Sequence, residues 1–383
     1  DISGNDNIDY TASRSYFIAK NMLGNDITGK YLGNVGNSSL KWETTNRLTA
    51  GIEGNFFGNR LHAAFNVFKS WTSDLISLNK MSWTSGIDQN WGNNGKLENT
   101  GFDVSLAYKV INSKDFHWEL GASAGHYKNE VAALSNNNAS YETSAYGATI
   151  LTSVGNPVGV FYGYTTDGVF STTKEANDAA LYQLDETGNK VFFQAGDMKF
   201  VDRDGNHCID DADRVIIGDP NPDIYGNIFT HFNWKRWTLD ATFTYSLGND
   251  IFNYERSILE SGKYFYNQTT AMNSRWTTEG QVTSMPRISY KDPHGNARFS
   301  DRWIEDGSYL RLSNVTLSYS LPMNTTYLQG ITVWGAAYNL FTLTHYLGSN
   351  PDCTLSGNTL LQGIDRGLLG AGRTFAVGVK LNL

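Results

Sequence analysis

The densest group of potential ligands in the sequence is Asp202-Arg203-Asp204-Gly205-Asn206-His207-Cys208-Ile209-Asp210-Asp211-Ala212-Asp213. Oxygen side chains fall at relative positions 1, 3, 5, 9 and 12, namely Asp202, Asp204, Asn206, Asp210 and Asp213. Position 7 offers a backbone carbonyl, that of Cys208, and position 8 holds the apolar Ile209. This spacing can wrap oxygens round one hard cation, Ca²⁺ or Mg²⁺. Two features weaken the fit. His207 stands where a sharp turn prefers Gly, and Asp213 is shorter than the bidentate Glu of strong sites. The structural alternative is an acidic turn satisfied by Asx hydrogen bonds and water. No long flanking helices are evident, so the expected role of a cation is to pin a long external loop.

Nothing else in the chain reads as chemistry on a substrate. There is no Gly-x-Ser-x-Gly, His-Glu-x-x-His, P-loop or dinucleotide fingerprint. His62, His117, His126, His207, His231, His294 and His345 are scattered, without metal-ligand spacing to one another. Glu305/Asp306 and Asp210/Asp211 are adjacent pairs, which do not converge on a scissile bond. No enzyme is expected. Aromatic side chains are the natural ligand contacts, since their faces stack on sugars. Trp83 and Trp91 in one loop, and Tyr254, Tyr264, Tyr266 and Trp276 in another, are candidates. The structural alternative is that they pack the loops themselves or contact a lid over them.

The elements that must carry these loops are β-strands. Only 18% of the 383 residues are charged, against 13% aromatic, with 38 Gly and 7 Pro. No stretch approaches the roughly 18 apolar residues of a membrane helix, and the hydrophobic content of 40% excludes disorder. A net charge of −8 argues against a nucleic-acid partner. Cys208 and Cys353 are too few for a disulfide scaffold, and unpaired thiols in loops are expected. The chain starts at Asp1 without an initiator Met, so a signal has been removed or the chain begins inside a longer protein.

Period-2 alternation is clearest in Trp237–Leu247, where Trp237, Leu239, Ala241, Phe243, Tyr245 and Leu247 share one face and Thr238, Asp240, Thr242, Thr244 and Ser246 the other. The last strand repeats it with Phe375, Val377, Val379, Leu381 and Leu383. Leu48–Phe56, Leu61–Val67, Phe102–Val110 and Trp118–Ala124 follow suit, and Leu310–Leu321 slips phase at Ser313-Asn314, as a β-bulge would make it. Such strands suit a tilted bilayer crossing of about 9–11 residues. A large soluble sandwich or propeller also alternates, but connection lengths separate the two. Tight turns at 57–60, 112–115, 155–157 and 233–236 alternate with long segments at roughly 74–98, 132–145, 165–223, 248–308 and 343–372. If the C-terminus is periplasmic, every long segment falls outside and every short one inside, as in outer-membrane barrels. About 11–12 antiparallel strands in one up-and-down sheet would leave two edges with unpaired backbone groups in lipid. Residues 1–383 are therefore expected to be the C-terminal part of a larger barrel.

Several stretches resemble the C-terminal barrel half of SusC/RagA-like TonB-dependent transporters: Asn37–Thr45, Leu97–Asp103, Val154–Gly159 leading to Phe161–Tyr164, Gly196–Asp202 through Gly218–Pro222, Ser308–Tyr319 and Tyr338–Phe341. The loop 202–213 is similar to a calcium-binding EF-hand-type or dockerin-like loop. The family resemblance implies an all-β fold, a 22-stranded transmembrane β-barrel with long extracellular loops in the outer membrane of a Gram-negative bacterium. It implies an N-terminal plug and early strands outside this chain, and energy from TonB. It also implies a SusD-like surface lipoprotein as lid, and import of oligosaccharides or peptides. The family often ends in Phe, and Leu383 departs from that while keeping an apolar final residue. A passive porin-like or adhesive barrel and a soluble glycan-binding β protein are the alternatives.

Overall fold

A computed structural model describes residues 2–3, 12–22, 27–81, 84, 89–134, 139–323, 325, 328–355 and 359–382. Its main element is a ten-stranded antiparallel sheet. The two-residue strand Ile2–Ser3 pairs with the edge of Glu43–Phe56, and the sheet continues through Leu61–Lys80, Gln89–Asn112, Phe116–Ala133, Ile224–Trp234, Trp237–Leu247, Tyr309–Pro322, Gly330–Thr344 and Thr374–Asn382. Beyond the first contact, every pairing joins strands consecutive in this series, so the sheet is an up-and-down wall. Tight turns at 57–60, 113–115 and 235–236 lie at one end, where Pro322 and Gly330 are also paired. The strand ends Lys80 and Gln89, Ala133 and Ile224, Leu247 and Tyr309, and Thr344 and Thr374 lie at the other. Connections at the first end are all short, whereas at the other three are long and one, between Lys80 and Gln89, is short.

Register gives the two faces. Leu239 pairs with Phe232 and Leu317, and Val315 with Ala241 and Ala337. Continuing across the sheet, Gly335 meets Val377 and Val333 meets Val379. One face is therefore apolar from strand to strand, and it is open: Ile52 is 71% exposed and Val377 87%. The opposite face carries Asp240 against His231 at 2.6 Å, Asn66 donating to Asp103 at 2.6 Å, and Thr238 against Asn233. A sheet polar on one side and apolar on the other turns the apolar side to acyl chains and the polar side to a wet interior. The bulge appears where the phase slips. Thr242 faces Asn314 and Phe243 faces Leu312, so Ser313 is the extra residue. Its absorption keeps both Leu312 and Val315 on the apolar face. Leu383 lies outside the described residues.

Among the described residues ten strands pair in the wall, and Tyr16–Met22 and Ile27–Asn34 form a separate antiparallel pair. Two expectations change. The Gly155–Pro157 turn does not join wall strands. Ala148–Ser153 and Val160–Gly163 belong to a small four-stranded sheet with Ser140–Ala145 and Val215–Gly218. Those strands are too short to cross a bilayer, and Ile150, Val160 and Phe161 are buried in protein. The turn itself docks on a wall strand, with Val131 N–H donating to Asn156 O at 3.0 Å. The segment expected as a loop over 74–98 is largely strand, because Leu61–Lys80 and Gln89–Asn112 stay paired as far as Lys80 and Gln89.

The long connections fold together as an external cap with its own cores. One gathers Phe170, Leu181, Phe193, Met198, Phe200 and Ile209 under the short helix Thr173–Ala179, which Thr172 caps by accepting from Glu175 N–H at 3.1 Å. Another centres on Phe161, Phe252, Trp303 and Ile364. Both cysteines are free and buried.

Candidate functional site

The loop over 202–213 is wound round the Asp202 carboxylate. Its Oδ1 accepts from Gly205 N–H at 2.8 Å and its Oδ2 from His207 N–H at 2.9 Å. Partial burial acts to raise the Asp202 carboxyl, but these N–H donors more than offset it, so its pKa lies below the ordinary aspartate value. Closing the turn requires left-handed backbone at Gly205 (φ 73°) and at His207 (φ 62°). His207 thus adopts the conformation that Gly would adopt without strain, and its Nδ1 lies 3.1 Å from Ala179 O. Ile209 then enters the apolar core beside Phe200, and backbone bonds of His207 and Ile209 to Tyr182 fix the loop from the side.

The result brings carboxylate oxygens of Asp202, Asp204 and Asp213 within 4.8 Å of one another. Asp213 is fully buried, holding Arg203 N–H at 2.7 Å and Asp210 N–H at 2.9 Å. Asp210 does not join the group. Its side chain caps the short Asp211–Asp213 turn, accepting from Ala212 N–H at 2.8 Å. Asn206 lies beside the group, its amide donating to Asp204 Oδ2 at 2.8 Å and its oxygen accepting from Cys208 N–H. Burial, with the nearby Asp210 charge, pushes the Cys208 thiol up, so the sulfur is no anionic ligand and only its carbonyl is available. Three converging carboxylates suit a hard divalent ion.

The aromatic candidates separate. Trp83 lies outside the described residues. Trp91 sits in a strand, and its carbonyl accepts from Asn37 at 2.9 Å. Tyr254 packs edge-on against Tyr146 and Phe252. Trp276 donates from Nε1 to Ser171 O at 3.1 Å and lies across Gly196, where a Cβ would meet its ring at 2.4 Å. These last two hold the cap together. Tyr264 and Tyr266 behave differently. They are exposed, with ring centroids 5.5 Å apart, and they line a cleft of about 370 Å³ with Lys263, Phe265, Gln268 and Tyr290. Phe265 is 93% exposed and stacks on Tyr290 at 5.2 Å. Sequence reasoning missed Phe265 and Tyr290. The run Tyr264-Phe265-Tyr266 was a usable signal for the first, but nothing local pointed to Tyr290.

The two large insertions are joined by a buried ion pair. Asp197 is fully buried, and Arg287 donates to it from Nε at 2.7 Å and Nη2 at 3.1 Å. Asn296 adds a bond at 2.9 Å to the same carboxylate and accepts from Met198 N–H at 2.8 Å.

No known family profile matches the chain. It is 31% identical over 369 residues to TonB-dependent receptor P3 of Formosa agariphila, covering 93% of this chain and 36% of that protein. Against TonB-dependent receptor SusC of Bacteroides thetaiotaomicron it is 27% identical over 362 residues, covering 90% and 32%. Among solved structures, that of the RagAB peptide importer in the closed-closed state superposes with a TM-score of 0.76 at 23% identity, over 99% of this chain and 40% of that one. The chain thus spans between about a third and two fifths of the length of these relatives.

Proposed function

We infer that this chain, a member of the SusC/RagA-like TonB-dependent receptors of the outer membrane, supplies the C-terminal barrel portion of an active importer of oligosaccharides or peptides. The observation that carries this reading is the wall itself. It is an up-and-down sheet with one apolar and one polar face, and its long connections are gathered at one end into a folded cap. The edges at Glu43–Phe56 and Thr374–Asn382 cannot remain unpaired in hydrocarbon, so further strands complete a barrel, 22 in all by the family pattern. The plug and the TonB contact belong to the N-terminal part of the receptor, and a SusD-like lipoprotein closes the extracellular end. The exposed cleft at Tyr264, Phe265, Tyr266 and Tyr290 suits stacking on a sugar or aromatic peptide side chain. The test is accumulation of a labelled oligosaccharide and a labelled peptide by cells carrying the intact receptor. Uptake of one of them that stops when TonB is deleted is expected. Entry unaffected by TonB would mark a passive pore.

The loop at Asp202, Asp204 and Asp213 holds a structural Ca²⁺ or Mg²⁺, with Asn206 and the Cys208 carbonyl as further oxygen donors. Metal analysis of the purified receptor is expected to find the ion, and Asp202→Ala is expected to lose it. Metal-free protein with the same loop order would end this assignment.

A further inference from the structure

We propose that the outer wall carries a binding site for a lipid with a phosphate headgroup, in the groove that spans the strands from Glu43–Phe56 to Phe116–Ala133. The groove has a volume of about 530 Å³. Its floor is Leu48, Phe65, Val67 and Phe102, all placed on the apolar face by register. Phe65 and Phe102 have ring centroids 6.3 Å apart, and His126 follows at 5.6 Å from Phe102. An apolar floor on this wall takes any acyl chain. The rim narrows the choice. Lys69 and Lys128 flank Thr100 in a single cross-strand row, one row beyond Val67, Phe102 and His126 on the side of the long connections.

This rim is local. The outward residues at the same ends of the next four strands are Ile224, Leu247, Leu310 and Leu343, none of them charged. Among the described residues of these eight strands, the row with Lys69 and Lys128 alone brings two ammonium groups to the outer end of the apolar surface. Glu98 and Glu130 lie one row farther out, opposite each other. They pair with Lys69 at 2.9 Å and Lys128 at 2.8 Å, holding both ammonium groups above the groove. Each ammonium has three donors and the pair occupies one. The remaining donors suit a phosphate oxygen, while the lipid's chain lies along Val67 and Phe65. Long Lys stems lie naturally over apolar surface with the charge at the headgroup level.

The inference rests on the apolar face meeting lipid. The experiment is native mass spectrometry of the complete receptor released from micelles containing phosphatidic acid and diacylglycerol with the same acyl chains. Retention of phosphatidic acid on the order of tenfold above diacylglycerol is expected, from two lysines near an anionic headgroup. Lys69→Gln with Lys128→Gln should reduce the preference below about twofold, and Lys69→Arg with Lys128→Arg should keep it. Inorganic phosphate in excess should not displace the lipid. Equal retention of the two lipids, or a preference that survives the Gln pair, would overturn the proposal and leave an ordinary lipid-facing wall. Retention of neither lipid would overturn the lipid-facing reading as well.

Discussion

Val377 in the wall is 87% exposed, whereas Phe161 in the external cap is fully buried, and both are large apolar residues in β-strands. The wall has little protein core of its own, because its strands leave the protein on one face and meet polar side chains on the other. The cap hides Phe161, Phe252 and Trp303 from all solvent, as a water-soluble domain does. One chain therefore obeys two solvents. A substitution has opposite consequences on the two sides of the boundary, and each can be measured.

The largest effect is expected in the cap. Trp303→Ala should cost about 3–5 kcal/mol locally, exposing the 134–223 and 248–308 segments to protease while the barrel keeps its heat-modifiable mobility. If both fail together, cap and wall are one folding unit and the contrast dissolves. In the wall, Leu239→Arg should cost about 2–4 kcal/mol if mid-bilayer, read by urea unfolding from vesicles. Its neighbour Thr238→Arg faces the polar side and should cost far less. Equal penalties would erase the distinction between the faces, and a larger one at Thr238 would reverse it. Thr172→Ala, which removes the cap of the Thr173–Ala179 helix, should lower local stability by about 1 kcal/mol, seen as faster amide exchange in that helix alone.

The smallest expected effect is in pH. The Asp202 carboxyl is held below its ordinary value, so its contribution is present above the unfolded pKa of about 3.9 and is lost as pH falls through the lower folded value. Proteolysis at Arg203 should be unchanged between pH 7 and pH 5 and rise only under stronger acid. Loosening between pH 7 and pH 5 would show that the Asp202 bonds do not hold the turn.

The wall was legible because its two faces meet different surroundings, which forces a period of 2. Trp237 to Leu247 reads directly, and even the extra residue at Ser313 shows as a slip of phase. The cap was not legible by the same rule. Ile150, Leu151 and Thr152 are consecutive and all buried, so alternation vanishes there and a short turn such as Gly155–Pro157 mimics a turn of the wall. The acidic loop was readable as a set of oxygens, but the diversion of Asp210 into capping its own turn depends on the Asp211–Asp213 geometry. Trp276 resembled a ligand contact by type alone, and only its seat over Gly196 reveals its packing role.

The bond from Arg287 to Asp197 spans 90 positions of the chain and ties together insertions rooted at different strand pairs. Mechanically it works as a rivet. A pull on the 262–303 stretch is transmitted at once to the acidic turn beyond Met198. Any displacement of the cap must therefore bend the chain at the strand ends rather than slide one insertion across the other.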